Sequence, residues 1–104
     1  MLIEVTRDDI RRGHPEDDCR CPVSLAIRRA VGLDTSVGDG VIVVDYATPW
    51  QIEIWSPEEV IQFVEDFDAG RKVKPFAFEL DLPDGWEEQR QTTMSAYRTR
   101  QEVE

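Results

Sequence analysis

The sequence predicts an α+β fold, a small and mainly antiparallel sheet of about four strands with helices packed on one face, in the order β-α-α-β-β-α-β followed by a tail. Three observations carry that reading. Residues 41–46 and 50–55 are two apolar-rich runs on either side of Ala47-Thr48-Pro49, the pattern of a hairpin. Residues 22–31 and 58–68 repeat their apolar side chains at helical spacing behind proline-containing starts. A chain of 104 residues that is 40% hydrophobic has material for one modest core.

Met1 to Val5 reads as a short strand with Ile3 and Val5 on one face. Thr6 is placed to cap a short helix that stops near Gly13. The polar stretch His14–Arg20 reads as a loop. Cys21-Pro22 then opens a helix in which proline sits at the first helical position, where its missing N–H is harmless, and Gly32 stops it. Val23, Ala26, Ile27, Ala30 and Val31 form its apolar stripe, with Arg28 and Arg29 opposite.

Asp39-Gly40 turns the chain into Val41–Tyr46, and Trp50–Trp55 returns. If Tyr46 faces Trp50, then Val44 faces Ile52, Val43 faces Glu53 and Ile42 faces Ile54, which leaves one face apolar and the other mixed. Ser56-Pro57-Glu58-Glu59 predicts a helix start in which Ser56 is the cap and Glu59 closes a capping box. Val60, Phe63, Val64 and Phe67 are its buried stripe, and Gly70 ends it. Phe76, Phe78 and Leu80 alternate with Ala77, Glu79 and Asp81, so this strand is expected to extend the same sheet. The expected domain is residues 1–82. Residues 83–104 carry few apolar groups and are expected to form a loosely attached, partly helical tail.

Charge is distributed unevenly. The chain carries a formal −10, and residues 39–70 hold eight carboxylates with neither Lys nor Arg, while each flank has seven acids to six bases. A block of one sign attracts basic partners within about the Debye length, near 8 Å at physiological salt, and repels nucleic acid and anionic lipid. A direct nucleic-acid or membrane function is therefore not expected. The longest apolar run is Val41–Val44, and Glu4 stands where a secretory leader would be basic and then apolar. The expected location is the cytoplasm, with Cys19 and Cys21 as thiols.

Three constellations bear on chemistry. His14, Cys19 and Cys21 are metal-ligand types, but a single residue between the cysteines makes it hard for both sulfurs to reach one ion, so no metal is expected and no cofactor is implied. Cys21 at a helix start would feel N–H groups that lower a thiol pKa, yet the only histidine lies seven residues away with no orienting third group. Arg28 and Arg29, with the start of their helix, would hold a nucleotide-like anion in a small-molecule binding protein.

Three motifs run through the chain: Ile3-x-Val5-Thr6-x-x-Asp9-Ile10-x-x-Gly13, Cys21-Pro22-Val23-x-Leu25-Ala26-Ile27 and Phe63-x-x-x-Phe67-Asp68-x-Gly70-x-x-Val73-x-Pro75-Phe76-x-Phe78-x-Leu80. On them, residues 2 to 80 resemble a family of small uncharacterised proteins found in phages and in bacterial genomes. The resemblance implies a small cytoplasmic accessory protein, in the host cytoplasm if phage-encoded, and brings no activity or catalytic residue with it. The leading expectation is a non-enzymatic acidic interaction protein that docks on a basic surface of a host protein, with assembly into a homo-oligomer as a further expectation. Glu53, Glu58, Glu59, Glu65, Asp66 and Asp68 would supply its charge, and Trp55 or Trp86 its aromatic anchor.

Overall fold

A computed structural model describes residues 1–88. Its elements are β1 (Leu2–Val5), α1 (Arg7–Arg12), α2 (Pro22–Val31), β2 (Thr35–Gly38), β3 (Val41–Val44), β4 (Ile52–Trp55), α3 (Glu58–Asp68) and β5 (Phe76–Glu79). The α+β class and the antiparallel pairing hold. The single four-stranded sheet does not: five strands form two sheets, one of order β1-β5 and one of order β2-β3-β4.

The β3-β4 hairpin has the register that the sequence sets, with Ile42 opposite Ile54, Val43 opposite Glu53 and Val44 opposite Ile52. Ile42 and Val44 are buried, and an odd-residue slip would send both to the solvent side. Asp39 (φ 52°) and Gly40 (φ 76°) form the two-residue turn whose twist suits a hairpin, and it joins β3 to β2, a strand that the sequence pattern does not mark. β5 does not extend this sheet. It pairs instead with β1, Ile3 opposite Phe78 and Val5 opposite Phe76, and so brings distant parts of the chain together.

The caps explain where each helix begins. Thr6 forms the full capping box for α1: its hydroxyl accepts from the Asp9 N–H, and the Asp9 carboxylate accepts from the Thr6 N–H at 2.8 Å. α2 starts as expected from Cys21, whose sulfur accepts from the Ser24 N–H, and ends at Gly32 in the left-handed region. Gly13 has a different reason to be glycine, since a Cβ there would stand 2.6 Å from the Pro22 ring.

α3 corrects the predicted cap. The Ser56 N–H donates to the Gly40 carbonyl at 2.9 Å, which holds Ser56 to the end of the hairpin. Pro57 becomes the cap residue, no side chain caps the helix, and Glu58 and Glu59 occupy its first turn, where carboxylates favour the exposed N–H groups. At the other end the Gly70 N–H bonds the Phe67 carbonyl and the Arg71 N–H the Asp66 carbonyl, a Schellman closure with Gly70 at φ 76°.

The core unites both sheets. α2 packs on α1, on β1 and on β2, so Val23, Ile27 and Val31 close the space between the two sheets. Phe63 of α3 meets Phe76 of β5 with ring centroids 4.7 Å apart. Of residues 83–88, Trp86 is half-buried against the core and the others are exposed, while residues 89–104 of the expected tail lie outside the described residues. Among the described residues no helix is long and apolar enough to cross a membrane.

Candidate functional site

A cleft of about 360 Å³ opens between the Asp39-Gly40 turn and α3. Val37, Val60, Ile61 and Val64 give it apolar walls. Asp18, Asp39, Glu65 and Asp68 give it four carboxylates, and among the described residues no Lys or Arg lines it. Three separate parts of the chain supply these acids.

Asp18 comes from the loop that joins α1 to α2, and backbone hydrogen bonds hold that loop in place. The Val37 N–H of β2 donates to the Asp18 carbonyl at 2.9 Å, and the Glu16 N–H donates to Asp68 Oδ1 at 2.9 Å. Gly38 makes room for the acid. A Cβ on it would lie no more than 2.7 Å from the Asp18 carboxyl atoms, so only glycine lets the two meet undisturbed. Asp18 is exposed at the cleft rim, but partial desolvation by its surroundings raises its pKa, and the charges of Asp39, Asp68 and Asp17 raise it further. Among the described residues this carboxylate faces like charges with no cation to offset them.

A site of this kind suits a long cationic side chain. The methylene stem of a lysine or arginine would lie along the valine and isoleucine walls while its head reaches the carboxylates. Such a group would relieve the mutual repulsion of acids that the fold itself has gathered.

The predicted partner-binding residues divide among several places. Glu65 and Asp68 line the cleft. Glu58 and Glu59 are exposed on the first turn of α3. Asp66 is engaged elsewhere, since it accepts from Arg71 at 2.8 Å and from Gln62 at 3.2 Å. Glu53 and Trp55 lie on β4 and line a second groove, where Trp55 is 83% exposed. Trp86 is no exposed anchor, because it packs on the core. Asp18 and Asp39 are the cleft acids absent from the predicted set, since the sequence reading counts Asp39 in the acidic block only as part of a turn and leaves Asp18 in the loop before that block. A loop that looks merely polar carries no signal that it will be pinned to β2.

The alternative anion site does not assemble. Arg29 places both terminal nitrogens on the Asp9 carboxylate, the NH2 contact being 2.9 Å, and also donates to the Glu4 carbonyl. Arg28 pairs with Asp34 at 3.3 Å. Both arginines stand in the last turn of α2, away from the helix start that was to share the anion. Cys21 is a small core thiol at the helix cap. It is buried, and that burial raises its pKa against the lowering effect of the Ser24 hydrogen bonds, whereas Cys19 is exposed. Among the described residues, no group of three or more His, Cys, Asp or Glu side chains is arranged to hold a metal ion.

No family model matches the chain, and neither the curated proteins nor the solved structures provide a match.

Proposed function

We propose that this chain is a non-enzymatic interaction protein that docks on a basic surface of another protein and takes a lysine or arginine side chain into the cleft between the Asp39-Gly40 turn and α3. The sequence resemblance adds a setting to this reading, a phage-encoded accessory acting on a host protein in the cytoplasm. The observation that carries the proposal is that Asp18, Asp39, Glu65 and Asp68 line one apolar-walled cleft with no base among the described residues. One of these acids, Asp18, comes from a loop far from the helix in sequence, and its pKa is raised by partial desolvation and by the charges of Asp39 and Asp68 beside it. The anion-binding alternative loses support because Arg28 and Arg29 are already paired.

The test is capture of a partner from bacterial lysate by the immobilised protein and by the Asp18→Asn/Asp39→Asn/Glu65→Gln variant, which keeps the side-chain shapes and removes three charges. Capture should be strong at about 0.1 M salt, fade toward about 1 M as the screening length shortens, and be lost in the variant. A partner that binds the variant as well as the parent contradicts the proposal.

A further inference from the structure

β4 is the outer strand of its sheet, and the two edges of that sheet are treated differently. On the β2 side the Val37 N–H is covered by the Asp18 carbonyl of the α1-α2 loop. On the β4 side, among the described residues, the geometry leaves backbone groups available. The Ser56 N–H donates to the Gly40 carbonyl, and the ladder register continues from that pair, so Ile54 and Ile52 bond to β3 while the N–H and C=O groups of Glu53 and Trp55 point to the free edge. The strand reads Ile-Glu-Ile-Trp, with none of the lysines, prolines or bulges that usually blunt an edge.

Beside this edge runs a groove of about 700 Å³, bounded on its far side by Asp81–Asp84. Ile52, Ile54 and Leu82 are apolar and half-buried along it, and Trp55 projects at its end. Among the described residues Glu53, Asp81 and Asp84 are its charged groups, and no base lines it.

We infer that the β4 edge is a docking site for an extended basic peptide segment, which adds to the β2-β3-β4 sheet as a further strand. Its backbone pairs with Glu53 and Trp55. Alternate side chains point to the two faces of the sheet, so apolar ones lie against Ile52 and Ile54 while lysines or arginines on the other face meet Glu53. Charge selects this occupant over a second copy of the chain, because two bodies of −10 repel each other whereas a basic strand is drawn in. The site uses none of the four cleft carboxylates and stands or falls separately from them.

The probe is an eight-residue peptide of alternating valine and lysine, titrated into the full-length, isotope-labelled protein while backbone amide signals are followed. Binding should shift the Glu53 and Trp55 amides and protect them from hydrogen exchange. Two versions of the peptide, N-methylated on every valine or on every lysine, identify backbone pairing. One set should weaken binding about tenfold or more, because its N–H groups face β4, and the other should bind like the parent. The Asp18→Asn/Asp39→Asn/Glu65→Gln variant should bind the peptide unchanged at this edge, which separates failure here from failure of the cleft proposal. Equal binding by both methylated peptides, or none by the parent peptide, overturns the inference. So do Glu53 and Trp55 signals that move with protein concentration alone, which assign the edge to a second copy. Protection of those amides in the dilute protein before peptide is added gives the edge to the chain itself and likewise overturns it.

Discussion

Asp9 on α1 and Asp18 in the loop that follows it are nine residues apart, and their surroundings push them in opposite directions. Asp9 is buried, which by itself raises its pKa, but hydrogen bonds from Arg29 and from the backbone and hydroxyl of Thr6, with the Arg29 charge, prevail and hold it below the ordinary value. Asp18, at the exposed rim of the cleft, has no such partner among the described residues, and its pKa is raised by partial desolvation and by neighbouring acids. The difference separates two uses of one side chain. Around α1 and α2 a carboxylate is answered within the fold and ties β1, α1 and α2 together. In the cleft beside α3, Asp18, Asp39, Glu65 and Asp68 meet no cationic side chain among the described residues, and their stabilisation is available to an incoming cation.

The sharpest way to break this contrast is to remove the answering charge. Arg29→Ala would strand Asp9 with its side chain only 4% exposed, and should cost about 3 kcal/mol in denaturant unfolding, the low end for breaking a buried pair because Arg29 is itself half-exposed. Thr6→Ala removes the cap hydroxyl that accepts the Asp9 N–H and donates to Asp9 Oδ2, and should cost about 1 kcal/mol by the same measurement.

In the cleft the expected effects on stability are smaller and one has the opposite sign. Gly38→Ala should displace the Asp18 carboxyl at a cost below about 1 kcal/mol, since that group is the end of a flexible side chain, and should weaken partner capture more than stability. Asp18→Asn should raise the midpoint of thermal unfolding at neutral pH. The sign follows from the raised pKa: the folded state holds the Asp18 proton more tightly, so this group favours folding below the ordinary aspartate value of about 3.9 and loses that effect as pH rises through its folded pKa. The gain from Asp18→Asn should therefore vanish in acid. Asp9 behaves conversely, its contribution being present above about pH 3.9 and lost as pH falls through its depressed folded value.

Features of short sequence range are legible in the residues themselves. Thr6, Cys21-Pro22, Gly32 and Gly70 mark helix ends through backbone rules that act over four or five residues, and alternation sets the β3-β4 register because only one parity buries Ile42 and Val44. The departures come from longer range. β2 is four residues with a serine and a glycine, a weak strand signal, although the Asp39-Gly40 turn calls for a strand on both sides. Ser56 loses its capping role to a bond with Gly40, and β5 finds β1 because pairing partners are chosen by the whole core. The acidic block is visible as composition, but its organisation is not. Asp66 is answered by Arg71, from just outside the block, and Asp18 enters the cleft from a loop before it.

The most direct test is a side-chain carbon NMR titration that follows the Asp9 and Asp18 carboxyls in one sample, alone and with a short lysine-rich peptide. The expected result is a midpoint below the ordinary aspartate value for Asp9 and above it for Asp18, with only the Asp18 midpoint moving down when the peptide is present. Two carboxyls that titrate together near the ordinary value, with the peptide moving neither, would contradict the division between answered and unanswered acids.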